Sequence, residues 1–168
     1  MSSPLRVTAV CSGNICRSPI AEVVLRDALE EVGLGHAVVV DSAGIGAWHE
    51  GDPADPRTVA VLQRHGYDGT AHRAQQITAS WFDADDAPDL LLAMDATHLR
   101  DLRRLAPDAD VVLMRAFDPA LDPDVDDLDV PDPYYGVAQD YEDVLTMIEA
   151  ATPGTVTRIR ELLADDRT

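Results

Sequence analysis

Two cysteines and an arginine crowd into one short stretch near the start of the chain, Cys11-Ser12-Gly13-Asn14-Ile15-Cys16-Arg17-Ser18-Pro19. The stretch follows an apolar run containing Val7, Ala9 and Val10, and it precedes a helical pattern. A loop running from a strand end into a helix N-terminus curls successive backbone N–H groups around a concave anion site. The helix dipole adds positive potential there. Gly13 permits close backbone approach, and Asn14 tolerates positive φ better than most residues. Arg17 offers a planar fork to two oxygens of one phosphate. Cys11 opens the loop and feels this field, so its thiol is expected well below the free value, within the ~3.5–7.5 found near helix N-termini. A thiolate aimed at a bound phosphate is a nucleophile in place, and the Ser18 hydroxyl can donate to its sulfur.

Other chemistries fit the same residues less well. The Gly-x4-Gly-Lys-Ser/Thr pattern of a nucleotide P-loop is absent, and the chain contains no lysine. Cys11 and Cys16 could bind zinc together with a distant histidine, or could be small buried residues. A calcium loop is suggested by Asp122-x-Asp124-x-Asp126, but Asp127 stands where that loop needs Gly and Pro133 where it needs Glu. Gly44-Ile45-Gly46 is too short a match for a dinucleotide fingerprint.

The elements that must position this loop read as alternating strands and helices. Ser18-Pro19 is a helix-start signal, a capping hydroxyl followed by proline. Ala21, Val24, Leu25, Ala28, Leu29 and Val32 then fall on one helical face, closed by Gly33 and Gly35. Val38–Val40 reads as a strand ending at Asp41-Ser42, and residues 56–65 as a helix. Leu90–Ala93 is a strand, residues 97–106 a helix, and Val111–Met114 a fourth strand. Residues 118–136 are an Asp- and Pro-rich loop. Val137, Tyr141, Val144, Leu145 and Ile148 mark a last helix that Pro153-Gly154 should break or kink, before Val156, Ile159, Leu162 and Leu163 resume the stripe. Alternation of this kind implies an α/β domain, an open four-stranded parallel sheet with helices on both faces. Ligands bind such sheets at the carboxyl ends of strands, where the Cys11–Arg17 loop lies.

Length and composition agree with one domain over residues 1–168, of which 46% are hydrophobic. The 13 basic residues are all Arg, against 31 Asp and Glu, for a net charge of −18. Nucleic acid and anionic membrane surfaces need a basic footprint and are not expected partners. No apolar run approaches the ~18 residues of a membrane span. The first residues lack a secretory signal pattern, so a cytoplasmic location with reduced thiols is expected.

The string from Val10 to Pro19 resembles the signature of the low-molecular-weight protein tyrosine phosphatases, and the resemblance extends from Arg6 to the last helix. It implies a phosphotyrosine phosphatase I-like fold and hydrolysis of aryl phosphomonoesters through a phosphocysteine, without cofactor or metal. Cys11, Arg17 and Asp132 would be catalytic, and the segment Ser12, Gly13, Asn14, Ile15, Cys16, Arg17 and Ser18 would hold the phosphate. Asp132-Pro133-Tyr134-Tyr135-Gly136 resembles the general-acid loop; among many loop aspartates, only the resemblance singles out Asp132. Tyr134 and Tyr135 would line the substrate cleft with Ile15 and Trp48, and in the family these tyrosines can themselves be phosphorylated. Ser42 and His72 would support Asn14, and Asp95 would fix the loop or Arg17, unless it is simply a helix cap.

Phosphotyrosine-containing proteins are the implied partners, with a cognate tyrosine kinase or its substrates, and a monomer or weak dimer is expected. Three rivals share the phosphate loop. Arsenate reductases of this fold need downstream cysteines, and none follows Cys16. Phosphoarginine phosphatases typically place Thr where this chain has Ile15. A non-catalytic phosphopeptide-binding module would lack the nucleophile or the acid. Cys11 and Cys16 are also close enough in sequence to form a reversible disulfide on oxidation.

Overall fold

The computed structural model describes residues 3–165. Strand β1 (Leu5–Cys11) leads through the cysteine loop into helix α1 (Arg17–Glu31), then β2 (Val38–Gly44) and α2 (Pro56–Arg64). Strand β3 (Leu90–Ala93), helix α3 (Ala96–Leu105), strand β4 (Val111–Leu113) and helix α4 (Ala138–Asp165) complete the order, with short 3-10 turns at Ala79–Phe82 and Met114–Phe117. The four strands form one parallel sheet in the order β2-β1-β3-β4. The strand order reverses beside β1, and the loops after β1 and β3 diverge there to open a crevice. In register, Cys11 pairs with Gly44 and Val10 with Ala93, so three strand ends meet at that crevice.

Period-2 alternation sorts β1 between two cores. Leu5, Val7, Ala9 and Cys11 face a cluster built with α1 and α4, including Ile20, Leu25, Leu145 and Ile148. Val10 faces the other side, with Ala43, Leu91 and Leu102. Helices therefore cover both faces, as expected.

Four local readings are corrected. Ser18 does not cap α1: Cys16 holds the cap position with no side-chain bond, because the Ser18 hydroxyl is engaged by Cys11 and Asn14. Strand β2 runs on to Gly44, since pairing with β1 continues to the crevice, while β4 stops at Leu113 as Met114 turns into a 3-10 helix. Val32 and Val137 lie outside their helices and are exposed. Helix α4 passes unbroken through Pro153, whose ring stands on the exposed side. An interior proline costs roughly 3 kcal/mol, but the apolar stripe on both sides of it is buried. Gly154 lets the helix lie directly on the backbone of Phe117, where a β-carbon would collide.

Candidate active site

The loop after β1 is shaped from outside. The carbonyls of Cys11 and Ser12 accept from Ile45 N–H (2.9 Å) and Gly46 N–H (3.0 Å), and that of Asn14 accepts from His72 Nε2 (2.6 Å). The Ile15 carbonyl takes Asp55 N–H (3.0 Å) and the Thr58 hydroxyl (3.0 Å). Gly44 must lack a side chain, because a β-carbon there would lie 2.8 Å from Ser12 O. With the carbonyls drawn outward, the N–H groups of Gly13, Asn14, Ile15 and Cys16 donate to no protein group among the described residues. Unpaired backbone donors are unfavourable in a protein interior; here they line a cup at the N-terminus of α1, an arrangement suited to an anion.

Asn14 takes the strain of the turn. Among the described residues it is the non-glycine residue with positive φ, 60°, and its side chain is held at every polar atom. Nδ2 donates to Ser18 Oγ (2.8 Å) and Ser42 Oγ (2.9 Å), and Oδ1 accepts from Gln75 N–H (3.0 Å). The expected supports from Ser42 and His72 are thus both in contact with Asn14. Ser18 Oγ accepts from Asn14, so its own proton can go to Cys11 Sγ, 2.9 Å away, or to the more distant Ala43 carbonyl at 3.5 Å.

Arg17 is buried and anchored from behind. Its Nη1 donates to Asp95 Oδ2 (2.7 Å) and the Val130 carbonyl (3.0 Å). One arm of the fork is therefore committed to the protein, and Nη2 is the arm turned towards Ser12 Oγ (3.4 Å) and Asp132 Oδ2 (3.7 Å). The two carboxyl oxygens of Asp95 are divided: Oδ2 accepts from Arg17, while Oδ1 caps α3 by accepting from Thr97 N–H and His98 N–H. Burial pushes the Asp95 carboxyl up, but His98 and Arg17 outweigh it and hold it below the usual range.

Cys11, Ser12, Gly13, Ile15, Cys16 and Arg17 line a cleft of about 470 Å³ with Trp48, Asp132 and both tyrosines. Asp132 is 42% exposed in its side chain and accepts from Tyr134 N–H (3.1 Å). The two tyrosine rings meet edge to face at 4.9 Å. Trp48 is largely exposed at the rim and lies over Gly46. Cys16 is buried, its Sγ 3.4 Å from Tyr141 Oη, and burial pushes its thiol up to about 11. The two cysteines of the loop thus sit in different surroundings, one on the Ser18 hydroxyl and one on a buried phenol.

Three residues of the site escaped the sequence reading. His49 lines the cleft over Gly13. Arg57 pairs with Asp55 (3.0 Å), donates to the Tyr134 carbonyl (3.0 Å), and lies over the ring of Tyr141, clamping the Asp132 loop to α2. His98 is buried with Nε2 2.9 Å from Ser12 Oγ. Only His98 had a local signal: three residues after an aspartate cap, it occupies the reciprocal position of a capping box. Burial, with Arg17 adding, pushes its imidazole down to about 4.

A cup of free amides over a sulfur, with a guanidinium and a carboxyl at the rim, can bind a tetrahedral oxyanion, attack it and protonate a departing oxygen. Known proteins point the same way. The family model described as low molecular weight phosphotyrosine protein phosphatase matches residues 6–165. A low molecular weight protein-tyrosine-phosphatase of Streptomyces coelicolor is 55% identical over 160 residues, covering 93% of this chain and 94% of the relative. Low molecular weight protein-tyrosine phosphatase A of Mycobacterium tuberculosis H37Rv is 48% identical, covering 98% and 97%. A crystal structure of a protein tyrosine phosphatase from Entamoeba histolytica superposes with a TM-score of 0.84 at 29% identity, covering 94% and 97%.

Proposed function

The chain belongs to the low molecular weight phosphotyrosine protein phosphatase family, and from that premise we propose that it hydrolyses phosphotyrosine in proteins through a phosphocysteine at Cys11. The observation that carries this reading is the Ser18–Cys11 contact of 2.9 Å at the floor of the amide cup.

In the first step Cys11 Sγ forms a bond to phosphorus as the bond to the aryl oxygen breaks. Gly13 to Cys16 amides and Arg17 hold the non-bridging oxygens, so charge developing on them meets fixed donors. Asp132 gives its proton to the departing phenolate oxygen. In the second step Asp132 takes a proton from water, which attacks phosphorus; the S–P bond breaks and the thiolate returns to the Ser18 hydroxyl. Catalysis of this kind is positioning plus electrostatics. The positive field comes from Arg17 and the amides, and the mechanism needs no metal. Long-range repulsion from the net charge of −18 is screened over ~8 Å at physiological salt, which leaves the cup to dominate.

Ile15, Trp48, Tyr134 and Tyr135 along the cleft favour a flat aromatic leaving group. Phosphoproteins are the substrate class that the family supplies; phosphotyrosine proteins tied to a cognate tyrosine kinase are our finer reading, in a cytoplasmic monomer or weak dimer. Among the described residues no helix is long and apolar enough to cross a membrane. Hydrolysis of phosphotyrosine, phosphoserine and phosphoarginine peptides without added metal tests the assignment: phosphotyrosine should be cleaved much faster than the others. Cys11→Ser should abolish turnover while keeping inorganic phosphate binding. Normal turnover by Cys11→Ser would overturn the assignment.

A further inference from the structure

The Ser12 hydroxyl is a side-chain donor of the cup that meets a residue from helix α3. Ser12 Oγ lies 2.9 Å from His98 Nε2 and 3.4 Å from Arg17 Nη2. Arg17 can only donate. The direction of the histidine bond depends on which ring nitrogen carries the proton, and the neighbours decide it. His98 Nδ1 sits 3.2 Å from the backbone N–H of Asp95, which donates to it. Asp95 Oδ1 is also 3.2 Å from Nδ1, but it already accepts from the N–H groups of Thr97 (2.9 Å) and His98 (3.1 Å). Were Nδ1 protonated, the Asp95 N–H would lose its acceptor and face another N–H. The Asp95 N–H thus favours Nδ1 as the acceptor, which puts the ring proton on Nε2. Both lone pairs of Ser12 Oγ then receive N–H donors, and its own proton is left pointing to a third direction. Ser12 lines the cleft, so that direction offers a bound oxyanion.

We propose that His98 is a positioning residue that orients the Ser12 hydroxyl proton into the cup, making Ser12 Oγ–H a donor to a non-bridging oxygen of the phosphoryl group. The inference rests on the reading of the cup as a phosphate site. It assigns α3 a part in the reaction beyond anchoring Arg17: one residue pair, Asp95 and His98, both caps the helix and fixes two donors of the cup. A serine without this relay would be free to turn its proton outward to water, and the cup would lose a donor that needs no reorganisation during reaction.

Asparagine separates the two roles of His98. In His98→Asn the amide oxygen can still accept from Asp95 N–H, but nothing reaches Ser12. Competitive inhibition by inorganic phosphate against an aryl phosphate is measured in wild type, Ser12→Ala, His98→Asn and the double variant. Loss of a hydrogen bond to a charged group should weaken phosphate binding roughly tenfold in Ser12→Ala. His98→Asn should weaken it roughly fivefold, and by less than about twofold once Ser12 is already Ala. An equal His98→Asn effect in both backgrounds, or none in either, overturns the proposal. Imidazole ¹⁵N spectra of the wild-type protein give a second reading that no substitution can disturb. A proton on Nε2 is expected; one on Nδ1 overturns the proposal, since Ser12 would then donate to His98. Failure of the catalytic reading looks different, as turnover persisting in Cys11→Ser.

Discussion

Replacing Asp95 with Asn isolates the charge that holds Arg17. Oδ1 caps α3 and Oδ2 accepts from Arg17 Nη1 at 2.7 Å. Asn keeps the capping oxygen and turns the Arg17 acceptor into an NH2 group, so two donors face each other beside a guanidinium that is 4% exposed. Breaking a buried pair from one side costs about 3–5 kcal/mol. The Val130 carbonyl still holds Nη1 at 3.0 Å, and Asp95 is 20% exposed, which places the loss at about 2–3 kcal/mol. With an unfolding entropy near 2.1 cal/mol/K per residue, a chain of 168 residues has about 0.35 kcal/mol/K at Tm, so Tm should fall by roughly 6–9 °C. Bound phosphate restores a counter-charge for Arg17. The upward Tm shift with saturating phosphate should therefore be larger in Asp95→Asn than in wild type, while kcat falls because Arg17 is less firmly placed. Differential scanning fluorimetry with and without phosphate, alongside aryl phosphate turnover, reads all three. A variant that melts within about 1 °C of wild type and keeps full kcat would refute the argument.

Arg57→Ala should release the Asp132 loop from α2 and lower kcat severalfold, with phosphate inhibition changed by less than twofold; steady-state kinetics decides, and an unchanged kcat contradicts the clamp. Peroxide should inactivate the protein and dithiol restore it, with recovery impaired in Cys16→Ala; equal recovery in that variant removes the disulfide. Stability should fall as pH drops from 6.5 towards 4. The ordinary imidazole value is 6.5 and that of folded His98 about 4, so in that window the unfolded chain binds a proton that the native state refuses. The loss approaches roughly 3 kcal/mol at the lower end. Urea midpoints at pH 7 and 4.5 measure it, and His98→Asn should flatten the slope.

The parts of the site legible in the sequence are those made by neighbours along the chain. A strand, a glycine-containing turn and a helix start put Cys11, the amides and Arg17 together within one local unit. Asp132 was a different case. It is one of several aspartates in a loop without periodicity, and composition alone could not separate it from the others; family resemblance did. Ser18 satisfied a local capping rule, yet a tertiary demand won, because Asn14 and Cys11 both need its hydroxyl. Pro153 departs from the local expectation for a related reason. Helix propensity is local, whereas Gly154 against Phe117 and the buried stripe on either side are not. His98 and Arg57 act on residues 86 and 77 positions away, and no spacing rule reaches that far.

The proposed hydrolysis depends on a covalent bond between Cys11 and phosphorus. Wild-type protein mixed with an aryl phosphate, quenched within one turnover and digested, should yield the peptide carrying Cys11 with one added phosphoryl group. The Cys11→Ser protein should yield none. Release of phosphate from wild type with no adduct at Cys11, or with the phosphoryl group on another residue, would contradict it.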